Sequence, residues 1–210
     1  NKGKSDMTAS LDFREAKEKP RSTVDFKAKE VDANADMAPF LEAINPIFHT
    51  VNGAVAGKST ADFKLAWTGA IDPAAADWTV PAKTALQGSG VLAVKDLVIT
   101  GSPAVGQIMQ ALGEGNQLQG ELLGTDIRIE GGRCSYVNMT LRLARYELRF
   151  TGWVAFDKTM ELMVEMPLTP GMRKRYPNLE RYTGQTLFVP LRGTAASPRL
   201  DFEKAIEELI

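Results

Sequence analysis

The sequence predicts an α+β protein: an extended, strongly twisted antiparallel β-sheet with two or three amphipathic helices packed on it or capping it. Three observations carry that prediction. Apolar and polar residues alternate through most of the 210 residues, the period of a strand with one apolar and one wet face. Between Ser135 and Leu168 the alternating runs are joined by connections too short for a crossover helix, so neighbouring strands there run antiparallel. A few segments switch to helical spacing, with start and stop residues at their ends.

The elements follow in order. "MTASLDF" sets Met7, Ala9, Leu11 and Phe13 on one side, and "TVDFKA" repeats the pattern with Val24, Phe26 and Ala28. "DMAPFLEAIN" then has Met37, Phe40, Leu41 and Ile44 at helical spacing, with Asp36 as N-cap and Pro46 as terminator. "ADFKLAW" returns to alternation, grouping Phe63, Leu65 and Trp67. The longest irregular stretch is Ala70 to Ala85. "GVLAVKDLVI" is ambiguous, because Leu92 and Val94 compete with Val91, Leu97 and Ile99 for the inward side. "GSPAVGQIMQALG" has Ser102 as N-cap, Pro103 at the first helical position, an apolar stripe through Val105, Ile108, Met109 and Leu112, and Gly113 as C-terminal stop.

The clearest alternation lies between Ser135 and Leu168. There Val137, Met139, Leu141 and Leu143 face one way and Asn138, Thr140 and Arg142 the other. After a turn near Ala144–Arg145 come Leu148, Phe150, Val154 and Phe156, and after "FDKT" come Met160, Leu162, Val164 and Met166. "TPGMRKRY" holds one or two helical turns. The chain closes on "VPLRGTAASPRLDFEKAIEEL": a strand, a turn bracketed by Gly193 and Pro198, and a helix with Phe202, Ile206 and Leu209 on its apolar side. A weak internal echo, "VNG" at Gly53 and "LQG" at Gly88 and Gly120, opens three of the apolar runs.

Composition narrows the function. Apolar residues make up 44 % and charged residues 24 %, an ordinary globular balance, and this length buries a core as a single domain, 1–210. A net charge of −1 supplies no field for nucleic acid. The single Cys134 excludes an internal disulfide and reads as a buried, inert thiol. The first residue is Asn1 rather than Met, which suggests a processed or excised chain. No run of about 18 apolar residues spans a bilayer.

Motifs for chemistry fail on spacing. "NGAVAGKST" has Asn52 where a phosphate loop needs its first glycine, and a strand follows instead of a helix. His49 is the only histidine and ends an apolar helical stripe, so no Ser-His or Cys-His pair assembles without it. No carboxylates cluster at metal-ligand or glycosidase spacing, and neither metal nor cofactor is expected. "NMT" from Asn138 to Thr140 matches a glycosylation acceptor but lies mid-strand. "MRKRYPNLERY" joins Arg173, Lys174, Arg175 and Arg181 to Tyr176 and Tyr182. It reads as a solvated loop or as a contact for a lipid headgroup.

Read in this order, the C-terminal pattern resembles the close of the AsmA-like family of bacterial envelope proteins. Pro190, Gly193, Thr194, Pro198 and Asp201 match its "hydrophobic-Pro-hydrophobic-x-Gly-Thr" strand, Pro-containing turn and short helix. Leu86 to Leu112 resembles the family's recurrent unit of a glycine-rich strand, a lysine-aspartate break, a second strand and an amphipathic helix. Ile127 to Met166 resembles its run of successive strands. The resemblance covers residues 86–209; Asn1 to Thr50 matches only loosely, and the family's N-terminal membrane anchor is not in this sequence.

The resemblance implies a periplasmic, inner-membrane-anchored, non-enzymatic protein of outer-membrane biogenesis that binds phospholipid in an apolar groove. The groove lining expected here is Met139, Leu141, Leu148, Phe150, Val154, Leu162 and Val164, with Arg173, Lys174 and Arg175 as headgroup contacts. Each acyl CH₂ buried there gains about 0.8 kcal/mol, and methionine-rich surfaces adapt to varied apolar ligands. The alternative is a structural module that recruits an envelope protein partner through exposed sheet edges. A groove predicts an open apolar trough; the edge module predicts a closed core and a free strand border.

Overall fold

A computed structural model describes residues 4–12, 21–33, 38–68, 85–182 and 184–208. One antiparallel sheet of ten strands, each hydrogen-bonded to its sequence neighbours, dominates it. The strands are β1 (Lys4–Asp12), β2 (Arg21–Asp32), β3 (Val55–Thr68), β4 (Leu86–Ile99), β5 (Leu118–Glu130), β6 (Arg133–Leu143), β7 (Glu147–Ala155), β8 (Thr159–Pro167), β9 (Thr186–Thr194) and β10 (Pro198–Leu200). The helices are α1 (Ala38–Ile44), α2 (Pro103–Leu112), α3 (Pro170–Arg175) and α4 (Phe202–Glu207), with 3₁₀ turns at Pro46–Phe48 and Pro177–Tyr182. The sheet-dominated α+β class therefore stands.

Strict pairing lines up apolar rows across the sheet. One row runs Phe26, Phe63, Gly90, Ile127, Tyr136, Gly152, Leu162, Leu191 and Leu200, one residue from each strand of β2 to β10. Opposed residues of an antiparallel pair share a face, so this row is a single apolar stripe. Gly90 is in it because the Phe63 ring lies over it: a Cβ there would sit 2.3 Å from a ring carbon.

The helices bury that face. Leu41 and Ile44 of α1, Ile47 and Phe48 of the first 3₁₀ turn, Val105, Ile108 and Leu112 of α2, and Ile206 of α4 join the strands in one continuous core. The start and stop signals of α2 work as the sequence proposed. The Ser102 hydroxyl accepts from the Val105 N–H at 3.4 Å, and Gly113 closes α2 in the left-handed region at φ 77°. Asp36, Met37, Phe13, Leu209 and nearly all of the Ala70–Ala85 stretch lie outside the described residues.

Facing departs from plain alternation at bulges, where one extra residue reverses it. Val137 does not face with Met139 and Leu141 but is 72 % exposed. Asn138 beside it takes φ 56°, the pairing shifts between Tyr136 and Met139, and the inward run continues from Tyr136 to Met139. In β4 the competition between two apolar sets resolves in favour of both. A shift at Lys95–Asp96, with Asp96 at φ 50°, turns Leu92 and Val94 inward before it and Leu97 and Ile99 inward after it. Val91 is left exposed. Met163 lies on the wet face by plain alternation along β8, while Met139, Met160 and Met166 are buried.

Candidate functional site

The wet face is organised by charge. Arg142 of β6 reaches Glu121 of β5 at 2.9 Å and Glu147 of β7 at 3.1 Å; Arg149 reaches Glu165 of β8 at 3.1 Å; Arg192 of β9 reaches Glu161 at 3.4 Å. These four glutamates thus sit in solvent-facing cross-strand pairs, each worth at most about 1 kcal/mol. Among the described residues no three His, Cys, Asp or Glu groups gather to hold a metal ion.

The seven residues expected to line a groove are brought together, but in the core. Met139, Leu141, Leu148, Phe150, Val154, Leu162 and Val164 are all 2 % exposed or less. The open trough expected at these positions is corrected: the chain's own helices occupy the space above them. The register makes them neighbours, since Met139 faces Phe150, Leu141 faces Leu148 and Phe150 faces Val164. Above them sits Asn45, the wholly buried residue that joins α1 to the 3₁₀ turn. Its Nδ2 donates to the Tyr136 hydroxyl at 2.5 Å and to Met139 Sδ at 3.3 Å, and its Oδ1 accepts from the Ile47 N–H at 2.9 Å.

A second fastening holds the same helix from its rim. Glu42 Oε1 of α1 lies 2.6 Å from Lys158 Nζ, in the β7–β8 turn, and 3.0 Å from His49 Nδ1. Burial pushes the Glu42 carboxyl up, but the hydrogen bond and charge of Lys158 with the charge of His49 outweigh it and hold the carboxyl below its usual value. His49 is therefore a packing residue on the helix rim. Cys134 is buried and burial pushes its thiol up to about 12, which leaves it protonated and inert.

The expected headgroup cations do not converge. Arg173, Lys174 and Arg175 are consecutive on α3, and consecutive helical residues fan apart. Arg173 is half-buried and the other two are exposed. Arg175 stacks on Tyr176 at 5.6 Å and Arg181 on Tyr182 at 4.9 Å, while Tyr176 packs on Phe202 of α4 at 5.4 Å.

A broad concavity lies on the wet face. It spans β2 to β7, has a volume of about 1210 Å³, and is lined by Asp25, Lys64, Asp126, Arg128, Glu130 and Trp153 among others. Signs of charge are mixed there, and the Arg133 guanidinium already covers the Trp153 ring at 4.0 Å.

The two borders of the sheet differ. β10 has three residues, and the Gln107 side chain of α2 completes its outer side: Nε2 donates to the Pro198 carbonyl at 2.8 Å and Oε1 accepts from the Leu200 N–H at 2.9 Å. A side-chain amide there does the work of a neighbouring strand, and sequence reasoning missed it because Gln107 looks like an ordinary polar helix residue. β1 pairs with β2 along all nine residues, from Lys4 opposite Lys29 to Asp12 opposite Arg21. Among the described residues nothing pairs with its other side.

Among the described residues no helix is long and apolar enough to cross a membrane. No family model matches the chain, and neither a curated protein nor a solved structure is significantly similar to it.

Proposed function

We propose that this chain is a non-enzymatic interaction module of the bacterial cell envelope, AsmA-like in kind, that recruits an extended protein segment as an added strand on β1. The observation that carries the reading is the asymmetry of the borders. The β10 side is sealed by Gln107, whereas β1 offers a nine-residue backbone paired on one side. An unpaired edge is a template for strand addition, with backbone hydrogen bonds supplying affinity and alternate residues supplying specificity. The closed core favours this reading over a groove at Met139 to Val164. Periplasmic location, and an inner-membrane anchor upstream, come with the AsmA-like resemblance of residues 86–209.

The test is hydrogen exchange on the full chain with and without a synthetic peptide of alternating valine and threonine. Slowed exchange confined to β1 supports strand addition. Unchanged exchange in β1 at saturating peptide removes it.

Lipid binding stays as a second reading because the apolar face runs beyond the deepest part of the core. Val24, Phe26, Leu65 and Leu86, at the β2–β4 end, are only half-buried. Phospholipid would lie there, with Arg173, Lys174 and Arg175 of α3 as the headgroup contacts elsewhere on the surface. Native mass spectrometry after gentle purification tests it: near-stoichiometric phospholipid lost on Leu65→Asn supports the reading, and an unliganded mass removes it.

A further inference from the structure

We propose that the concavity on the wet face binds an uncharged oligosaccharide laid across the strands. It is a site separate from the β1 border, because it lies on β2 to β7 and is built from side chains. Its axis is one cross-strand row. Asp25 stands opposite Lys64, Lys64 opposite Ser89, Ser89 opposite Arg128, Arg128 opposite Ser135, and Ser135 opposite Trp153. All six line the concavity, and opposed residues of an antiparallel ladder share a face. At about 4.8 Å per strand the row is roughly 24 Å long, the reach of a short oligosaccharide rather than of a single metabolite.

The row has a shape. Long side chains at Lys64, Arg128 and Trp153 alternate with the short Ser89 and Ser135, so a notch one strand wide lies between successive posts. Posts on alternate strands stand about 10 Å apart, room for one pyranose ring with its hydroxyls. Two of the posts are already held: Arg128 Nη2 lies 2.6 Å from Glu130 Oε2, and the Arg133 guanidinium covers the Trp153 ring. A side chain held before the ligand arrives loses less freedom on binding. Apolar carbon flanks the notches, since Val137, 72 % exposed, and Ala66 line the same concavity. A pyranose carries the matching mixture, C–H faces with a rim of hydroxyls.

Charge selects among ligands. Asp25, Asp126 and Glu130 oppose Lys64 and Arg128 in the lining, so neither sign prevails. A phosphodiester only accepts hydrogen bonds and would meet the three carboxylates. A polyamine only donates and would meet the two cations. A sugar hydroxyl does both, and so pairs with Asp25, with Lys64 or Arg128, and with either serine. The Ser135 O–H donates to the Arg128 carbonyl at 3.3 Å, which leaves its oxygen to accept. A peptide laid across the same row would bring backbone N–H and C=O groups needing partners of their own, and the sheet's backbone is already paired strand to strand.

Isothermal titration calorimetry of the full chain tests this with two probes, the β-1,4-linked hexamers of N-acetylglucosamine and of glucose. The expected result is binding of at least one hexamer with a Kd at or below about 1 mM, insensitive to salt because no net charge is neutralised. Ser89→Leu and Ser135→Leu each fill a notch, and Arg128→Gln shortens a post at an exposed position. Each should weaken binding at least about tenfold at an unchanged melting temperature. Absence of heat with both hexamers at about 10 mM overturns the inference, and so does binding that all three variants leave intact. Tighter binding of heparin, falling steeply as salt rises, would overturn the uncharged ligand. Displacement of bound hexamer by the valine–threonine peptide would assign the face to a peptide instead. Hexamer binding that leaves exchange in β1 unchanged keeps this site distinct from the strand-recruiting border.

Discussion

At the residue scale the fastening of α1 is the most exposed to test. Asn45 is a polar side chain in an apolar core, tolerated because both ends of its amide are used: Nδ2 by Tyr136 and Met139, Oδ1 by the Ile47 N–H. Asn45→Ala leaves the Ile47 N–H and the Tyr136 hydroxyl buried without that partner, and each stranded group costs about 1–3 kcal/mol. Tyr136→Phe removes only one acceptor, leaves Asn45 its sulfur contact, and should cost about 1 kcal/mol. Urea unfolding monitored by tryptophan fluorescence should rank the two variants in that order; the reverse order would mean that the amide is not what holds the helix. Glu42 adds a pH dependence of definite sign. Its folded carboxyl is held below the usual 4.5, so its contribution is present above that value and is lost as pH falls through the folded one. Melting temperature followed from neutral to acid should therefore fall less steeply for Glu42→Gln than for the parent chain, and parallel curves would refute the clasp.

At the element scale the bulges decide which residues are core. Asn138 takes φ 56° and its N–H donates to the Thr151 hydroxyl of β7 at 3.2 Å; Glu30 takes φ 54° and its N–H donates to the Thr60 hydroxyl of β3 at 3.4 Å. The same device, a left-handed residue braced by a threonine on the next strand, thus recurs in β2 and β6. A β-branched residue is strained there, so Asn138→Val should lower stability by about 1–3 kcal/mol, while Asn138→Gly should be close to neutral. Equal losses for both would show that the asparagine side chain, not the backbone conformation, matters. Gly152 of β7 is a separate case: at φ 135°, with a Cβ 2.2 Å from the Glu161 carbonyl oxygen, it admits no larger residue without moving β8. These features mark where sequence reasoning held and where it stopped. Strand alternation, the Ser102 and Gly113 caps and the Gly193–Pro198 turn are local, and the sequence carries them. A bulge is a two-residue event that keeps ordinary strand residues on both sides, so Val137 read as inward. In β4 the sign was present, apolar residues switching parity across Lys95–Asp96, but a single sequence does not say whether both sets are buried. The candidate site failed for a related reason. Alternation tells which side of Met139, Phe150 or Leu162 is apolar, and says nothing of what covers it; the cover is α1, more than ninety residues away in sequence from Tyr136.

At the scale of the whole molecule, stability should be graded along the sheet, because the helical layer is not. α1 and its 3₁₀ turn fasten to β6 and to the β7–β8 turn through Asn45 and Glu42. α2 joins β10 through Gln107 and α3 through the Thr169 hydroxyl, which donates to the Leu112 carbonyl at 2.7 Å. Every one of these ties lands between β6 and β10 or on another helix. The apolar residues there are almost fully closed, whereas Val24, Phe26 and Leu65 at the other end are half-buried. Local opening free energies follow buried apolar contact and protection of backbone hydrogen bonds. Hydrogen exchange on the free chain should therefore release β1 and β2 first, β3 and β4 next, and β6 to β9 last, near the global unfolding limit. An added strand bound on that edge should slow exchange in β1 and leave β6 to β9 unchanged, since mass action protects only the surface that the partner binds. Uniform protection from β1 to β9 in the free chain would contradict both the gradient and the open border. It would mean that the sheet unfolds as one unit, with nothing held back for a partner to order.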